Sequence, residues 1–228
     1  MRKLYLILLL LLPLLAQAQS KVNASTAIWP EWQITSGIGG SEAHLLFLRN
    51  SYRINTNSDF NDLKESGVLS NFERVELSVG YENTLTDHWR AGLILRYAAE
   101  NYPTTVFVSP FLRHNGSIKS LYFNKQLTFD YVKQEDIDAF GRFRLMAELG
   151  KRLPVGTRYL TPSVSYEVLL RSEFGKDENS TQSERTVDRS RLRLSLNYEL
   201  TEKLRITPYF MWQTDYYYVQ VPPVYNEQ

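Results

Sequence analysis

Polar and apolar residues alternate one by one along much of this chain, most clearly over residues 191–200. In that stretch one face carries Leu192, Leu194, Leu196, Tyr198 and Leu200, and the residues between them are polar. Because successive side chains of a β-strand point to opposite sides, the segment has one apolar and one polar face. Strands of about ten residues with such faces are what a membrane-spanning barrel needs.

Ten segments follow this pattern, and we predict each of them to be a strand. They cover residues 28–38, 42–55, 72–84, 89–100, 104–113, 120–132, 140–152, 157–171, 191–200 and 204–219. Helices are a poor fit, because their apolar residues recur every three or four positions. Pro110 predicts an irregular or bulged strand in the fifth segment, since proline donates no ladder hydrogen bond. The prediction is all-β: an antiparallel, up-and-down transmembrane β-barrel of about 10 strands (about 10–12).

The connections between these strands fall into two classes. Tight turns are predicted at residues 86–88, 115–118, 153–156 and 201–203, and the Asn115-Gly116 pair favours a two-residue turn. Residues 56–70 and 174–188 are longer and polar. Barrels of this kind place short turns in the periplasm and long loops outside, which here would put both chain ends outside as well. A chain cut short at Gln228, long loops that face the periplasm, or a misread strand would each account for this.

The N-terminus carries an export signal ahead of the strands. Arg2 and Lys3 precede an apolar run, and Ala16-Gln17-Ala18 forms a small-x-small cleavage site. This order is typical of a signal peptide that is cleaved before Gln19. We therefore expect residues 1–18 to be removed and residues 19–228 to form a single β-barrel domain in the outer membrane.

Composition narrows the classes of partner and site. The chain has no cysteine, which excludes disulfides, thiolate metal sites and a lipid-modified N-terminal cysteine. Removing Arg2 and Lys3 with the signal takes the formal net charge from +1 to about −1, so nucleic acid is not an expected partner. The 15 Tyr, 11 Phe and 4 Trp suit strands and membrane interfaces. The expected partners are outer-membrane lipid and the barrel-assembly machinery, with the protein itself a monomer.

Three segments carry a family resemblance: Arg142 to Leu149, Arg191-Leu192-Arg193-Leu194, and Val79-Gly80-Tyr81-Glu82. They are similar to those of an uncharacterised family of small exported barrels, common in Bacteroidota outer membranes and known as a domain of unknown function. The resemblance spans most of the mature chain. It implies the location and the fold, and it implies no activity and no catalytic residues.

Catalytic chemistry has few candidates. The three histidines are His44, His88 and His114, and His114-Asn115-Gly116-Ser117 resembles the Ser–His arrangement of outer-membrane phospholipases and lipid A deacylases. A catalytic pair needs both side chains on one wall within hydrogen-bond reach, whereas these two flank a predicted turn. We interpret the Asp87-His88 pair in the same way, as polar residues of a turn. The sequence has no metal-ligand spacing and no phosphate-binding loop, so we predict no catalytic, cofactor-binding or metal residues and no cofactor.

The polar faces of the strands carry a larger candidate site, a lumen charge network. It comprises Arg74, Glu76, Arg142, Arg144, Glu148, Glu167, Arg191, Arg193 and Glu199, with Glu82, Arg90, Arg96, Glu100 and Arg171 as further inward charges. A narrow barrel is largely filled by its own side chains, and opposite charges on neighbouring strands would pair there. This predicts a salt-bridged plug. The alternative is a polar lumen for a small anionic or zwitterionic solute, since arginines outnumber glutamates in the set.

Three function classes follow. The first is a small outer-membrane barrel of structural or narrow-channel (porin-like) type, with a charged, largely filled lumen. The second is an enzyme acting on envelope lipids, which would need a hydroxyl–His pair within reach on adjacent strands. The third is a soluble periplasmic lipocalin-like binder, in which the apolar faces would point inward. The direction in which the apolar faces point separates the third class from the other two.

Overall fold

The computed structural model describes residues 20–23, 27–39, 41–55, 74–100, 104–135, 138–174 and 185–217. The predicted signal peptide and the long connection at 56–70 lie outside these residues, as does most of the connection at 174–188. Within the described ranges, no helix has the length and apolar character needed to cross a membrane.

All regular structure in these ranges is β-strand. The strands are β1 (Ser20–Asn23), β2 (Ala27–Ile28), β3 (Glu31–Ile38), β4 (Ser41–Asn55), β5 (Arg74–Thr84), β6 (Trp89–Glu100), β7 (Thr104–Ile118), β8 (Leu121–Gln134), β9 (Phe140–Gly150), β10 (Leu153–Val155), β11 (Arg158–Glu173), β12 (Arg185–Glu199), β13 (Arg205–Ile206) and β14 (Tyr209–Tyr217). Each of the ten predicted segments overlaps at least one of them. β1 has no predicted counterpart, because its four residues are too few to show alternation.

The strands form one antiparallel sheet in up-and-down order. The path runs β1-β14-β12-β11-β9-β8-β7-β6-β5-β4-β2, with β3 also on β4, β10 on β11 and β13 on β12. Strands β1, β2 and β3 together form the N-terminal stretch of the sheet. Both ends of the path belong to this stretch, because β1 pairs with β14 while β2 and β3 pair with β4. The sheet therefore curls back towards its own beginning. With the N-terminal stretch counted as one strand and β10 and β13 as extensions, the predicted all-β, antiparallel, up-and-down arrangement of about ten strands is confirmed.

The apolar faces of the strands point outward. Leu194 is 51% exposed and Phe210 65% exposed, whereas the inward Arg142 side chain is only 12% exposed. The soluble lipocalin-like alternative requires the reverse arrangement, and that alternative is wrong for this fold.

Three glycines on the inner wall make room for aromatic rings on the neighbouring strand. Gly80 lies directly opposite Phe47, Gly92 opposite Phe111 and Gly150 opposite Tyr122. In each pair the ring occupies the space that a Cβ atom on the glycine would need. Because of these close approaches, the rings lie against the wall. The charged side chains then have more of the lumen's width.

The predicted turn at Asn115-Gly116 is wrong. β7 continues to Ile118, with Asn115 opposite Asn124 and Gly116 opposite Phe123. The turn comes after β7 instead, where Lys119 adopts a positive φ of 55°. The ladder extends past the Asn-Gly pair because each further residue pair adds backbone hydrogen bonds, which outweigh the turn preference of one dipeptide.

The prediction of an irregular or bulged strand at Pro110 is confirmed as an irregular strand, although β7 has no bulge there. Ser109 and Pro110 have no ladder partners on β8, yet the register is the same on both sides of them. Register shifts occur instead between Leu169 and Leu170 and between Gly37 and Ile38. The proline interrupts the ladder between β7 and β8 without changing the register of the two strands.

The described chain ends lie at the end of the sheet that carries the long connections. Ala27 pairs with Asn55, immediately before the connection at 56–73, and β14 runs towards this same end. The strand directions relative to the long connections are therefore those predicted.

We expect Gly92→Ala to destabilise the folded protein by about 2–3 kcal/mol, the upper range for overpacking. A Cβ atom at Gly92 would lie 2.2 Å from the backbone oxygen of Tyr81 and 2.6 Å from the Phe111 ring, so backbone must move. The measurement is the denaturant midpoint of the protein folded in detergent micelles. Gly116→Ala is the matched control, because its nearest atom is a His114 side-chain atom 3.0 Å away. Equal effects of the two changes would contradict this account of the wall.

Candidate functional site

One buried carboxylate on the inner wall contacts three inward arginines. Asp130, on β8, is completely buried, and Ser109 Oγ donates a hydrogen bond of 2.6 Å to its Oδ1. Arg96 Nη2 donates to Oδ1 at 3.0 Å, and Arg142 donates to Oδ2 from Nη2 at 3.0 Å and from Nε at 3.1 Å. Arg144 Nε lies 3.1 Å from Oδ2, close enough for an ion pair but without hydrogen-bond alignment. Three guanidinium groups thus surround a single carboxylate.

Strand register brings this cluster together. Asp130 lies directly opposite Arg142 on β9, and Arg144 lies opposite the neighbouring inward residue, Thr128. Arg96 reaches the carboxylate from β6, across β7. Each of these side chains alternates with outward apolar neighbours, so pleating alone turns all of them inward.

Ion pairs extend from Asp130 along the wall in both directions. On one side Arg144 Nη1 lies 3.5 Å from Glu167, which also binds Arg191 Nη1 at 3.2 Å. On the other side Arg96 Nη1 lies 3.7 Å from Glu76, which accepts a hydrogen bond of 2.9 Å from Arg74 Nη2. Charges of opposite sign therefore alternate from β5 to β12 without interruption.

The chain of contacts reaches β14 and the N-terminal stretch. Arg191 Nε donates to Gln213 Oε1 at 2.9 Å, and Gln213 Nε2 donates to Asp215 at 3.0 Å. Asp215 in turn forms an ion pair with Arg189. The Arg191 guanidinium also lies 5.8 Å from the centre of the Trp29 ring. The polar layer thus follows most of the circumference of the sheet.

A buried aromatic ring supports the same arginines. The guanidinium carbons of Arg74, Arg96 and Arg142 lie 5.7, 4.4 and 5.5 Å from the centre of the Phe107 ring. Phe107 packs in turn with the buried residues Ala98, Val132 and Phe140. The ring holds the arginines by cation–π attraction and excludes water from one side of the ion pairs.

Two smaller ion-pair groups lie nearer the tight turns. Glu82 accepts hydrogen bonds of 2.9 Å from both Arg90 and Arg113. Glu199 pairs with Arg152 at 3.1 Å, and Arg205 lies 3.9 Å from it. The lumen is therefore charged along its length as well as around its circumference.

The structure brings together some members of the predicted lumen charge network and separates others. Arg144 and Arg191 meet at Glu167, and Arg74 meets Glu76, as described above. Arg142 contacts Asp130 and Asp188 rather than a glutamate. Arg193 donates to Ser195 Oγ at 3.1 Å and stacks on Tyr209, and Glu148 accepts a hydrogen bond from Tyr122 Oη at 3.1 Å. In the described ranges neither Arg193 nor Glu148 forms a salt bridge.

Sequence reasoning missed Asp130, the central acid. The available signal was its position along the strand. Asp130 alternates with the outward Phe129 and Tyr131 in the same way as the predicted arginines alternate with leucines. As the lone acid of its strand's inner face, it did not stand out from the charged pairs elsewhere.

The histidines lie on the outer surface. His114 packs against the Trp89 ring with a centroid distance of 4.8 Å, and Ser117, three residues along β7, faces the opposite side of the sheet. His44 Nδ1 lies 2.8 Å from Tyr81 Oη on the adjacent strand, a hydroxyl–His contact of the kind that an enzyme would need. That hydroxyl is a phenol on the exposed outer face, however, and no carboxylate among the described residues contacts His44. The described residues also contain no group of three or more His, Cys, Asp or Glu arranged for a metal ion.

Comparisons with known proteins show only distant likeness. No protein-family model matches the chain, and no curated protein matches it. Among solved structures, the NanC porin aligns with 87% of this chain and 98% of its own, at 11% identity and a TM-score of 0.45. The siderophore receptor PirA from Pseudomonas aeruginosa aligns with 87% of this chain at 12% identity and a TM-score of 0.35, and this chain spans 39% of its length. These likenesses assign no activity to this chain.

We expect Asp130→Asn to destabilise the folded protein by about 3–5 kcal/mol, because it leaves three buried guanidinium groups around a neutral side chain. The measurement is again the denaturant midpoint in micelles. Glu148→Gln is the matched control, since an amide oxygen still accepts the bond from Tyr122, and its effect should stay within about 0.5–1 kcal/mol. Similar midpoints for both variants would show that Asp130 does not organise the lumen.

Proposed function

We propose that this chain is an outer-membrane β-barrel of structural or narrow-channel type, with a lumen filled by its own charged side chains. The observation that carries the proposal is the inverted distribution of polarity: apolar side chains are exposed outside while an ion-pair network is buried inside. A protein surrounded by water would expose the charges and bury the leucines. A protein surrounded by lipid is stabilised by the arrangement seen here.

The outer face has the extent that a bilayer requires. On β6 every outward side chain from Trp89 to Tyr97 is apolar. At about 3.4 Å per residue and a tilt of about 40°, this run is about 20 Å tall, near the 25 Å apolar band of outer-membrane barrels. Its ends carry aromatic rings, as expected where hydrocarbon meets the headgroups.

The inner face supports a closed rather than an open lumen. The side chains of Arg96, Arg142 and Arg144 are 12–14% exposed, and Asp130 between them is fully buried. Barrels of about eight strands have an interior just wide enough for side chains, whereas porins with aqueous channels have about 16–18 strands, so ten strands favour a narrow interior. In this proposal the ion pairs and the side chains around them fill most of the space through which a solute would pass.

The predicted signal peptide supplies the route to this location, and barrel-assembly machinery would insert the strands. The relation to the uncharacterised Bacteroidota family stays a prediction, as does the monomeric state. The proposal includes no catalytic step.

We expect Leu194→Arg to reduce the stability of the protein in phosphatidylcholine vesicles by about 2–4 kcal/mol if this outward residue lies near the bilayer midplane. Leu204→Arg is the control, because Leu204 is equally exposed but lies beside the turn at 201–203, where a cation costs about 0–1 kcal/mol. The measurement is the denaturant midpoint, with heat-modifiable gel mobility as the test of folding. Outer-membrane fractionation of the unmodified protein accompanies it, and recovery of a soluble periplasmic protein would contradict the proposal.

We also expect the unmodified protein to show no stable conductance above background in planar bilayers, since ion pairs fill the lumen. Arg191→Ala should mainly lower stability, because it leaves Glu167 with one fewer partner. A stable, anion-selective conductance that Arg191→Ala weakens would instead show that the arginines line a pore.

A further inference from the structure

The apolar outer face of β8 is interrupted by a lysine between two apolar residues. Lys125 lies on the outward face between Phe123 and Leu127, and its side chain is exposed. The other lysine of this strand, Lys133, lies at the end with the long connections. A cation on a lipid-facing wall is destabilising near the bilayer midplane and is tolerated near the interfaces. The depth and the contacts of Lys125 therefore decide what it can bind.

No acidic residue on the outer face balances the charge of Lys125. The ladders place it opposite His114 on β7 and opposite Ala147 on β9. The diagonal positions on those two strands are also free of acids: Leu112, Gly116, Leu145 and Leu149. Among the described residues, no carboxylate lies within ion-pair distance of Lys125. Its counter-ion must therefore come from outside the chain.

The ammonium of Lys125 lies over the ring of Phe123, with Nζ 5.0 Å from the ring centre. Phe123 is two residues nearer the turn that joins β7 and β8, so the lysine side chain extends along the wall towards that turn. Lysine side chains near a membrane interface lie in this way, with the stem on apolar surface and the charge directed towards water. The ring attracts the cation but has no net charge, so the ammonium is held in place and stays unbalanced.

The length of β8 sets the depth of this ammonium. At about 3.4 Å per residue and a tilt of about 40°, the 14 residues of β8 are about 34 Å tall, about 9 Å more than the apolar band of about 25 Å. A band centred on the strand therefore begins about 4–5 Å from Leu121, at the level of Phe123. The ammonium of Lys125 lies at this boundary, because it lies over the Phe123 ring. Trp89, at the end of the apolar run on β6, packs on His114 beside Lys125, as expected of a ring at the interface.

We propose that the Lys125 ammonium binds the phosphate of an anionic phospholipid in the leaflet on the side of the tight turns. The acyl chains of this lipid lie against Leu112, Leu127 and Leu145, which form the next outward row towards the bilayer centre. This inference rests on the membrane placement in the proposed function. It adds a lipid site to that function, at a named residue and in a named leaflet.

A lipid is the partner that complements both parts of this surface. Its phosphate meets an unbalanced ammonium at the headgroup level, and its chains meet the leucines beyond. A lipid with net negative charge is favoured, because the headgroup cation of a zwitterionic lipid competes with Lys125 for the phosphate. A second copy of this wall would bring no acid, since every acid of β5–β9 lies on the inner face.

The cysteine-free sequence allows a fluorophore to be attached at one chosen position. Leu127→Cys, labelled with bimane, places the fluorophore one outward position beyond Lys125. The protein is folded into vesicles of phosphatidylcholine with a minority of phosphatidylglycerol, and a nitroxide that quenches bimane is placed on the acyl chains of one lipid or of the other. Leu95→Cys is the matched reporter, because Leu95 is also exposed and its ladder neighbours are Val79 and Val108.

We expect quenching at position 127 to show phosphatidylglycerol at about fivefold its bulk share, the size of effect that one lysine contributes near an anionic surface. Position 95 should show no preference. Lys125→Gln should abolish the preference at position 127, and Lys125→Arg should keep it. Lys133→Gln is the matched control, because it removes a lysine from the same face of β8 at the opposite end of the strand, and it should also keep the preference.

Several outcomes would overturn the inference. Equal quenching by both lipids at position 127 would show that no anionic headgroup is selected, and a preference that survives Lys125→Gln would place the headgroup elsewhere. Loss of the preference on adding inorganic phosphate at constant ionic strength would assign Lys125 to a free anion. Weak quenching by both lipids at position 127, with strong quenching at position 95, would show that another protein molecule covers this wall. Failure of the unmodified protein to insert into vesicles would instead refute the membrane placement itself, and with it the partner proposed here.

Discussion

The contact between Asp130 and three arginines is the interaction on which the interior depends. Curling a two-faced sheet with its leucines outside forces every inward arginine into a small space, where unbalanced positive charge would be costly. Asp130 accepts hydrogen bonds from strands on both sides of it and joins Glu76 and Glu167 into one alternating sequence of charges. Without an acid at this point, Arg96, Arg142 and Arg144 would repel one another across the lumen.

Shape as well as charge fills the interior. Phe47, Phe111 and Tyr122 each lie against a glycine on the next strand, so bulky rings use little of the lumen's width. Phe107 lies beneath the arginines and excludes water from their ion pairs. Rings packed on the wall and charges paired along it together explain how bulky apolar and charged side chains share the inner face.

The wall is less uniform than the interior. Ten strands in a closed order have ten junctions, and longer ladders form nine of them. The tenth junction depends on β1, where four residues pair with β14. Within the described ranges, the N-terminal stretch therefore joins β14 at one end of the sheet and pairs only with β4 at the other.

The sequence by itself determined the strands, their antiparallel order and the direction of each face, because alternation with period two leaves few other structures possible. Alternation along the strands was enough to place Arg144, Glu167 and Arg191 on the inner side. Only the tertiary structure decided which charges meet: Arg142 binds Asp130 because strand register sets these two opposite each other, and register depends on every ladder at once. The extension of β7 past Asn115-Gly116 and the change of partner along the N-terminal stretch have the same origin, since both arise from competition between neighbouring strands that no single segment encodes.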